Sequence, residues 1–265
     1  MCAIEAGRRG RRVALLDHAD RPGKKILISG GGRSNFTNIH THPDNFLSEN
    51  PHFVKSAIAR YTPSDFLKLI EKHGIRYHEK TLGQLFCDGS AQQIVTMLLQ
   101  ECQAAHVDLV LGTTVSSVRK RDRFQLETSR GSWTSSSLVI ATGGLSIPKM
   151  GATGFGYDLA WQFGLAVVPC RPALVPFVLA KPDQQRWCNL AGLSAEVGAS
   201  AGAGKQRGTF REKLLITHRG LSGPAALQAS SFWRPGSPIT LDLVPTPSSP
   251  PLSACRLSPE HPPLP

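Results

Sequence analysis

The 265-residue sequence has no apolar run long enough to cross a bilayer, which argues against a membrane-spanning protein. Its basic N-terminus is not followed by an apolar core of signal-peptide length, so no export is expected and the cytoplasm is the expected compartment. No pair among the six cysteines, at 2, 87, 102, 170, 188 and 255, has CxxC spacing, which removes support for zinc ribbons and thioredoxin-like chemistry. Scattered thiols suit a reducing compartment, where a buried free Cys packs as a small apolar residue. No Ser-His-Asp arrangement, metal-ligand cluster or P-loop is visible. Acidic residues are scarce beside basic ones, 19 against 30, and the formal charge of +11 favours anionic partners. The cations cluster at GRRGRR (7–12), GKK (23–25), VRKRDR (118–123) and KQRGTFREK (205–213). Any one cluster reads better as a solvated loop or turn than as a nucleic-acid site. Few aromatics interleave with them, which weakens a single-strand stacking platform but leaves phosphate-backbone contact with RNA open.

Glycine, by contrast, is concentrated. Residues 23–38 read GKKILISGGGRSNFTN, and Gly30, Gly31 and Gly32 remove every side chain from one short loop. Backbone amides there can approach a ligand closely and take positive φ without steric cost. Arg33 adds a forked cation, with Lys24 before the loop. Ser29, Ser34, Asn35, Thr37 and Asn38 add short polar groups. This composition suits a large, multiply polar anion such as a dinucleotide. Upstream, MCAIEAGRRG (1–10) reads as the end of a helix with Gly7 and Gly10 as stop signals. The run 12–17 reads as a buried parallel strand closed by Asp17. A carboxylate at such a strand tip accepts hydrogen bonds from a ribose diol, or else caps the next turn.

The remainder up to residue 166 reads as α/β. Pro63 opens a helix that runs to Gly74. Ser90 reads as the N-cap of a helix with its apolar stripe at Ala91, Ile94, Val95, Leu98, Leu99 and Cys102. A strand is expected over 107–111, then an antiparallel meander over 113–118, 123–128 and 131–134. Residues 138–141 read as an apolar strand running into the small turn Ala141, Thr142, Gly143, Gly144. Gly154 and Gly156 precede and open a helix over 157–163 whose N-terminal amides favour an anion. From Val167 prolines punctuate the chain, and short strands are expected at 194–200, 208–210, 214–217 and 239–244. HRGLSGP (218–224) turns into a helix at about Pro224. Residues 246–265 are rich in Pro and Ser without periodicity and read as disordered. The expected division is 1–166, 167–245 and that tail.

Four ordered segments, GKKILISGGGRSNFTN (23–38), LVIATGGLSIPKMGATGFGYDLAWQFG (138–164), RPALVPF (171–177) and LLITHRGLSGPAALQAS (214–230), carry a resemblance. The chain resembles bacterial NAD(P)/FAD-dependent oxidoreductases of the aminoacetone-oxidase-like flavoprotein type, from residue 1 to about 245. The resemblance implies a Rossmann-like α/β FAD-binding domain with an inserted β-rich second domain. It implies FAD at Asp17, Lys24, Ser29, Gly30, Gly31, Gly32, Arg33, Asn35, Thr37, Asn38, Ala141, Thr142, Gly143, Gly144, Gly154 and Gly156, with the Val115 backbone against the adenine. NAD(P)H is the implied reductant. His218 is implied as a proton donor, against its plainer reading as a turn residue. The family's opening strand and GxGxxG turn have no counterpart here, Ser34 stands where Cys is usual, and Cys87 where Pro often follows the Phe.

Three readings follow. The first is a flavin oxidoreductase passing hydride from NAD(P)H through FAD to an unsaturated small molecule. The second is a basic RNA-associated flavoprotein that reduces uridine in ribosomal RNA. The third is a fragment, truncated at both ends, that holds FAD poorly because its pyrophosphate turn is absent.

Overall fold

The computed structural model describes residues 1–204 and 207–245; the tail expected to be disordered lies outside them. The chain divides into two compact units, Met1–Val168 and Pro169–Pro265.

The first unit begins with α1 (Cys2–Arg8) and β1 (Val13–Leu16). Then come α2 (Lys24–Ile28), β2 (Asn35–Asn38), α3 (Lys55–Arg60), α4 (Pro63–Lys72), β3 (Tyr77–Glu79) and β4 (Gln84–Cys87). After α5 (Gln92–Ala104) and β5 (Val107–Val110) the chain forms β6 (Val115–Lys120), β7 (Phe124–Thr128), β8 (Gly131–Ser135) and α6 (Phe155–Gln162). β1 pairs with β5 in parallel, Val13 opposite Val107 and Leu16 opposite Val110. α1 and α5 pack through Ile4, Cys102 and Ala105. Gly7 lies within α1 rather than ending it, and a Cβ there would collide with the Ala105 carbonyl.

The strand through 12–17 is parallel as expected but not buried: Ala14 and Leu15 are exposed. A two-stranded sheet cannot cover both faces of a strand that reads as a core strand. Residues 138–141, expected as a strand, carry no ladder, and Val139 and Ile140 are exposed. Among the described residues no strand lies alongside to pair with them.

Local signals set the helices. In α4 the Thr62 hydroxyl accepts from Asp65 N–H at 3.2 Å, and the Asp65 carboxylate accepts from Thr62 N–H at 3.0 Å, a reciprocal capping box. At its other end Gly74 N–H donates to Glu71 C=O and Ile75 N–H to Ile70 C=O, a Schellman closure with Gly74 at positive φ. α5 starts one residue later than Ser90 would place it, yet the Ser90 hydroxyl accepts from Gln92 N–H at 3.1 Å. Its buried stripe includes Ile94, Val95 and Met97, while Leu98 and Leu99 are half-buried.

α5 also buries an acid. Glu101 accepts from Lys72 Nζ at 2.8 Å, meets His73 Nε2 at 2.7 Å and is bound by Arg8. One carboxylate thus ties α1 and α4 to α5. Lys72, then His73 and Arg8, hold its pKa down to about 2 against the opposing effect of burial.

β6, β7 and β8 form the expected antiparallel meander, and β2, β4 and β3 a second antiparallel sheet. The second unit contains β9 (Phe177–Val178), α7 (Lys181–Trp187), β10 (Ser194–Ala201), β11 (Gly208–Thr217), β12 (Gly220–Ser222), α8 (Gly223–Ser230) and β13 (Thr240–Asp242). Its antiparallel sheet runs β13-β10-β11-β12-β9, with α8 packed through Ala225, Ala226 and Ala229 onto Val197, Leu214 and Leu221. The strands expected at 208–210 and 214–217 are one strand, because alternation continues through exposed Arg211 and Lys213.

Candidate functional site

The glycine turn is a short left-handed run. Gly30 has φ 58°, Gly31 66° and Gly32 85°, and Ser34 follows, buried, at 52°. The three glycines do different things. A Cβ on Gly30 would meet the Phe86 ring at 2.6 Å and Asn35 N at 2.8 Å, so Gly30 packs against β4. A Cβ on Gly31 would meet nothing within 4 Å, and one on Gly32 only Leu27 O at 3.9 Å. At Gly31 and Gly32 the space where a side chain would stand is therefore open among the described residues, with Gly31 exposed and Gly32 half-buried. Ser29 Oγ donates to Ile26 C=O at 2.7 Å and lies 3.3 Å from Ser34 Oγ, which closes the turn from below. Ala91 N–H donates to Gly32 C=O and Cys87 N–H to Arg33 C=O, anchoring the turn to the start of α5 and the end of β4. The Arg33 side chain is exposed and makes no ion pair among the described residues.

The second turn, Ala141 to Gly144, is folded onto the start of α6. A Cβ on Gly156 would meet Thr142 Oγ1 at 2.8 Å, and one on Gly144 would meet the Tyr157 hydroxyl at 3.0 Å. Gly143 has φ 75° and open space where a Cβ would stand. Gly154 is the N-cap of α6.

Two contacts connect this turn region with the first half of the unit. Lys25 Nζ donates to Ser146 Oγ at 2.9 Å, and a Cβ on Gly151 would come within 2.7 Å of His18 Nε2. Lys25 lies on α2, whose five residues span about 7.5 Å at 1.5 Å each, and the glycine turn begins at its C-terminal end. The structure thus gathers Asp17, His18, α2, the 141–151 segment and the first turn of α6 around one region, with Gly31 and Gly32 one short helix away.

Asp17 lies at the tip of β1 as the sequence implies, where its Oδ1 accepts from Ala19 N–H at 2.9 Å. The turn-capping reading is therefore realised for one oxygen, and the side chain is 41% exposed. Thr113 N–H donates to Asp17 C=O at 2.9 Å, and Val115 packs with Leu16 in one cluster, so Val115 sits close to that strand tip. Lys24 pairs with Asp20 at 2.6 Å. Asn35 and Thr37 stand on β2 directly after the turn. Asn38 is engaged elsewhere: its amide donates to Leu82 C=O at 2.9 Å and accepts from His40 N–H at 2.8 Å. His218 belongs to the second unit, exposed in the two-residue turn between β11 and β12, where Thr217 Oγ1 accepts from Gly220 N–H at 3.1 Å.

His18, Tyr157 and Phe86 are not singled out by the sequence. His18 directly follows Asp17, so strand-tip position is a usable signal. Phe86 meets Gly30 only through tertiary structure and leaves no trace in local sequence.

The HI0933-like protein Rossmann domain model matches residues 1–232. The chain is 53% identical over 246 residues to the ribosomal RNA dihydrouridine synthase of Escherichia coli (strain K12), covering 92% of this chain and 60% of that protein. It is 47% identical over 249 residues to the protein of the same name from Haemophilus influenzae, covering 92% and 61%. A third relative, the 3-dehydro-bile acid delta(4,6)-reductase of Clostridium scindens, is 25% identical over 222 residues, covering 83% and 53%. The chain spans about three fifths of the length of the two synthases it matches.

Proposed function

The chain belongs to the HI0933-like Rossmann-domain family, and we propose that it forms the FAD-binding part of a flavin-dependent reductase whose substrate is a uracil ring in ribosomal RNA. The single observation that carries the cofactor is the open backbone at Gly31 and Gly32 beside α2, with Lys25 of α2 bonded to Ser146 of the second glycine-rich segment. The names of the two relatives at 53% and 47% identity support the substrate.

The residues present fit the cofactor. Side-chain-free backbone at Gly31, Gly32 and Gly143 allows close approach of a large anionic ligand. Arg33 supplies a cation that pairs with no acid among the described residues. The remaining lone pairs of Asp17 accept from a ribose diol. The start of α6 packs on the 142–144 turn, so the positive end of that helix's dipole lies beside the turn, where it favours negative charge. Bound FAD supplies two-electron hydride transfer, with NAD(P)H as its reductant. His218 is the proposed donor of the accompanying proton.

Flavin binding is tested by titrating the purified chain with FAD and following fluorescence quenching. Gly31→Val places a branched side chain at φ 66°, and binding is expected to be lost with an unchanged circular dichroism spectrum. Wild-type affinity in that variant removes the turn from the site. The reaction is tested by supplying FAD, NAD(P)H and ribosomal RNA and analysing nucleosides by mass spectrometry. Uridine that gains no hydrogen overturns the substrate. A small unsaturated substrate is the second reading, favoured by the similarity to the Clostridium scindens reductase.

A further inference from the structure

A pocket of about 260 Å³ opens between β2, α3 and α4, lined by Phe36, Thr37, Thr41, Ile58, Tyr61 and Phe66 among others. Thr37 alone of these residues is among the cofactor contacts implied above, and Phe36 and Phe66 back the pocket onto the core around Ile70 and Met97. We infer that this pocket receives one unstacked RNA nucleobase. The inference rests on the RNA reading of the preceding subsection and assigns a base-binding site apart from the glycine turns.

Size comes first. Clefts for drug-sized ligands run to roughly 300–1,000 Å³. A pocket just below that range takes a single ring system rather than a folded segment. Its walls are flat and aromatic: the Phe36 and Phe66 rings stand 6.1 Å apart at 57°, and Tyr61 is 43% exposed at the mouth. Aromatic faces of this kind stack on bases of any sequence.

Polar groups face in beside the rings. The pairing of β2 with β4 slips between Asn35 and Thr37. In a regular strand Phe36 and Thr37 would point to opposite faces. The bulge lets both line one pocket, which is how bulges re-aim side chains. The Thr37 hydroxyl makes no hydrogen bond among the described residues, and Thr41 Oγ1 donates to Asn38 C=O at 2.7 Å, leaving its lone pairs open. Together they offer a donor and acceptors to a base edge.

The charge around the pocket fits a polyanion. Lys55 and Arg60, on the helix that carries Ile58, are exposed and make no ion pair among the described residues. The nearby acid, Asp65, is held by Thr62 and pairs with Lys68 at 3.2 Å. Composition argues against a stacking platform. The fold nonetheless gathers three rings that are thirty residues apart in the chain at their extremes.

The test compares a fluorescein-labelled oligouridine with an abasic oligomer of equal phosphate count by fluorescence anisotropy at fixed salt. The chain is expected to bind oligouridine about tenfold more tightly, the worth of one stacked base. Tyr61→Ala and Ile58→Trp, which respectively remove a wall and fill the space, should each abolish that preference while abasic binding stays unchanged. Lys55→Ala with Arg60→Ala should weaken both oligomers. Thr37→Val serves as the fold-neutral variant and should reduce the preference about threefold, the loss of one neutral hydrogen bond. Equal affinity for the two oligomers, or a preference that survives all three pocket variants, overturns the inference. So does displacement of oligouridine by FAD in a manner that Tyr61→Ala abolishes, which would give the pocket to the cofactor. Uridine reduction that persists without base preference leaves the proposed reaction standing and removes only the pocket. Base preference without uridine reduction does the reverse.

Discussion

Replacing Glu101 by glutamine should unpick the joint between α1, α4 and α5. The side chain of Glu101 is 5% exposed and faces three basic partners, of which His73 is the most shielded at 17% and Lys72 the least at 63%. Lys72, His73 and Arg8 lower its pKa from 4.5 to about 2. A tenfold change in proton affinity is worth about 1.4 kcal/mol, so the whole depression corresponds to about 3 kcal/mol. Lys72 and Arg8 are themselves exposed and screened, which reduces the expected contribution to about 2 kcal/mol. The sign follows from linkage. The folded-state pKa is depressed, so the stabilisation is complete above the unfolded value near 4.5. It is lost as pH falls toward 2. The amide of Glu101→Gln keeps the volume and cannot titrate, so the variant should be less stable at pH 7 and approach wild type at about pH 2. Urea unfolding by circular dichroism at both pH values reads the difference, and hydrogen exchange at 98–105 assigns it to α5. A penalty identical at the two pH values, or none at pH 7, would refute the argument that the charge, rather than the shape, of Glu101 holds the joint.

Other perturbations separate effects that the sequence merges. Gly30→Ala should destabilise the fold by more than about 1 kcal/mol through its clash with Phe86, whereas Gly31→Ala should cost about 1 kcal/mol and act mainly on FAD affinity. Thermal melts paired with FAD titrations distinguish the two, and the reverse ranking would falsify the division of roles. Gly7→Ala should cost well over 1 kcal/mol by overpacking against the Ala105 backbone, while Gly10→Ala, at φ 73° with open space, should incur only the backbone strain of about 1 kcal/mol. Leu159→Ala should cost about 3 kcal/mol and weaken FAD binding from a distance, since Leu159 is 5% exposed among Val118 and Leu126. Lys25→Ala, which removes one exposed hydrogen bond to Ser146, should shift the melting midpoint hardly at all.

The parts of the fold legible in the sequence are those whose causes are local. Pro63 and Gly74 announce the two ends of α4, and the Thr62–Asp65 box that the structure adds lies within one turn of Pro63. The β6–β8 meander follows from short alternating runs with turn residues between them. Residues 138–141 mislead because apolar residues name a tendency and not a partner; without a ladder alongside, extended backbone is not a strand. Asp17 illustrates a different limit. Its position at the strand tip is readable, but one oxygen's use by Ala19 N–H depends on how the next turn folds. Glu101 and the contact of Gly30 with Phe86 are hidden for a third reason. Their meaning is made by residues 28 or more positions away, and no window of sequence contains both members.

The second glycine-rich segment shows how an exposed loop acquires a definite shape. Among the described residues, no sheet holds 138–151. Both of its ends are nonetheless fixed in one cluster: Leu138 at one side, Phe155 and Leu159 at the other, packed on Val118 and Leu126 of the meander. Fixing both ends at one place removes part of the freedom an open loop would have to lose on ligand binding. Close packing then does the rest. Thr142 occupies the space that a side chain at Gly156 would need, and Tyr157 stands where one at Gly144 would go. Glycine at 156 is therefore demanded by the approach of loop to helix, glycine at 144 is favoured by it, and glycine at 31 by conformation and an open face. Glycine-rich composition is shared by all these positions, but only the open face at Gly31, Gly32 and Gly143 leaves backbone for a ligand.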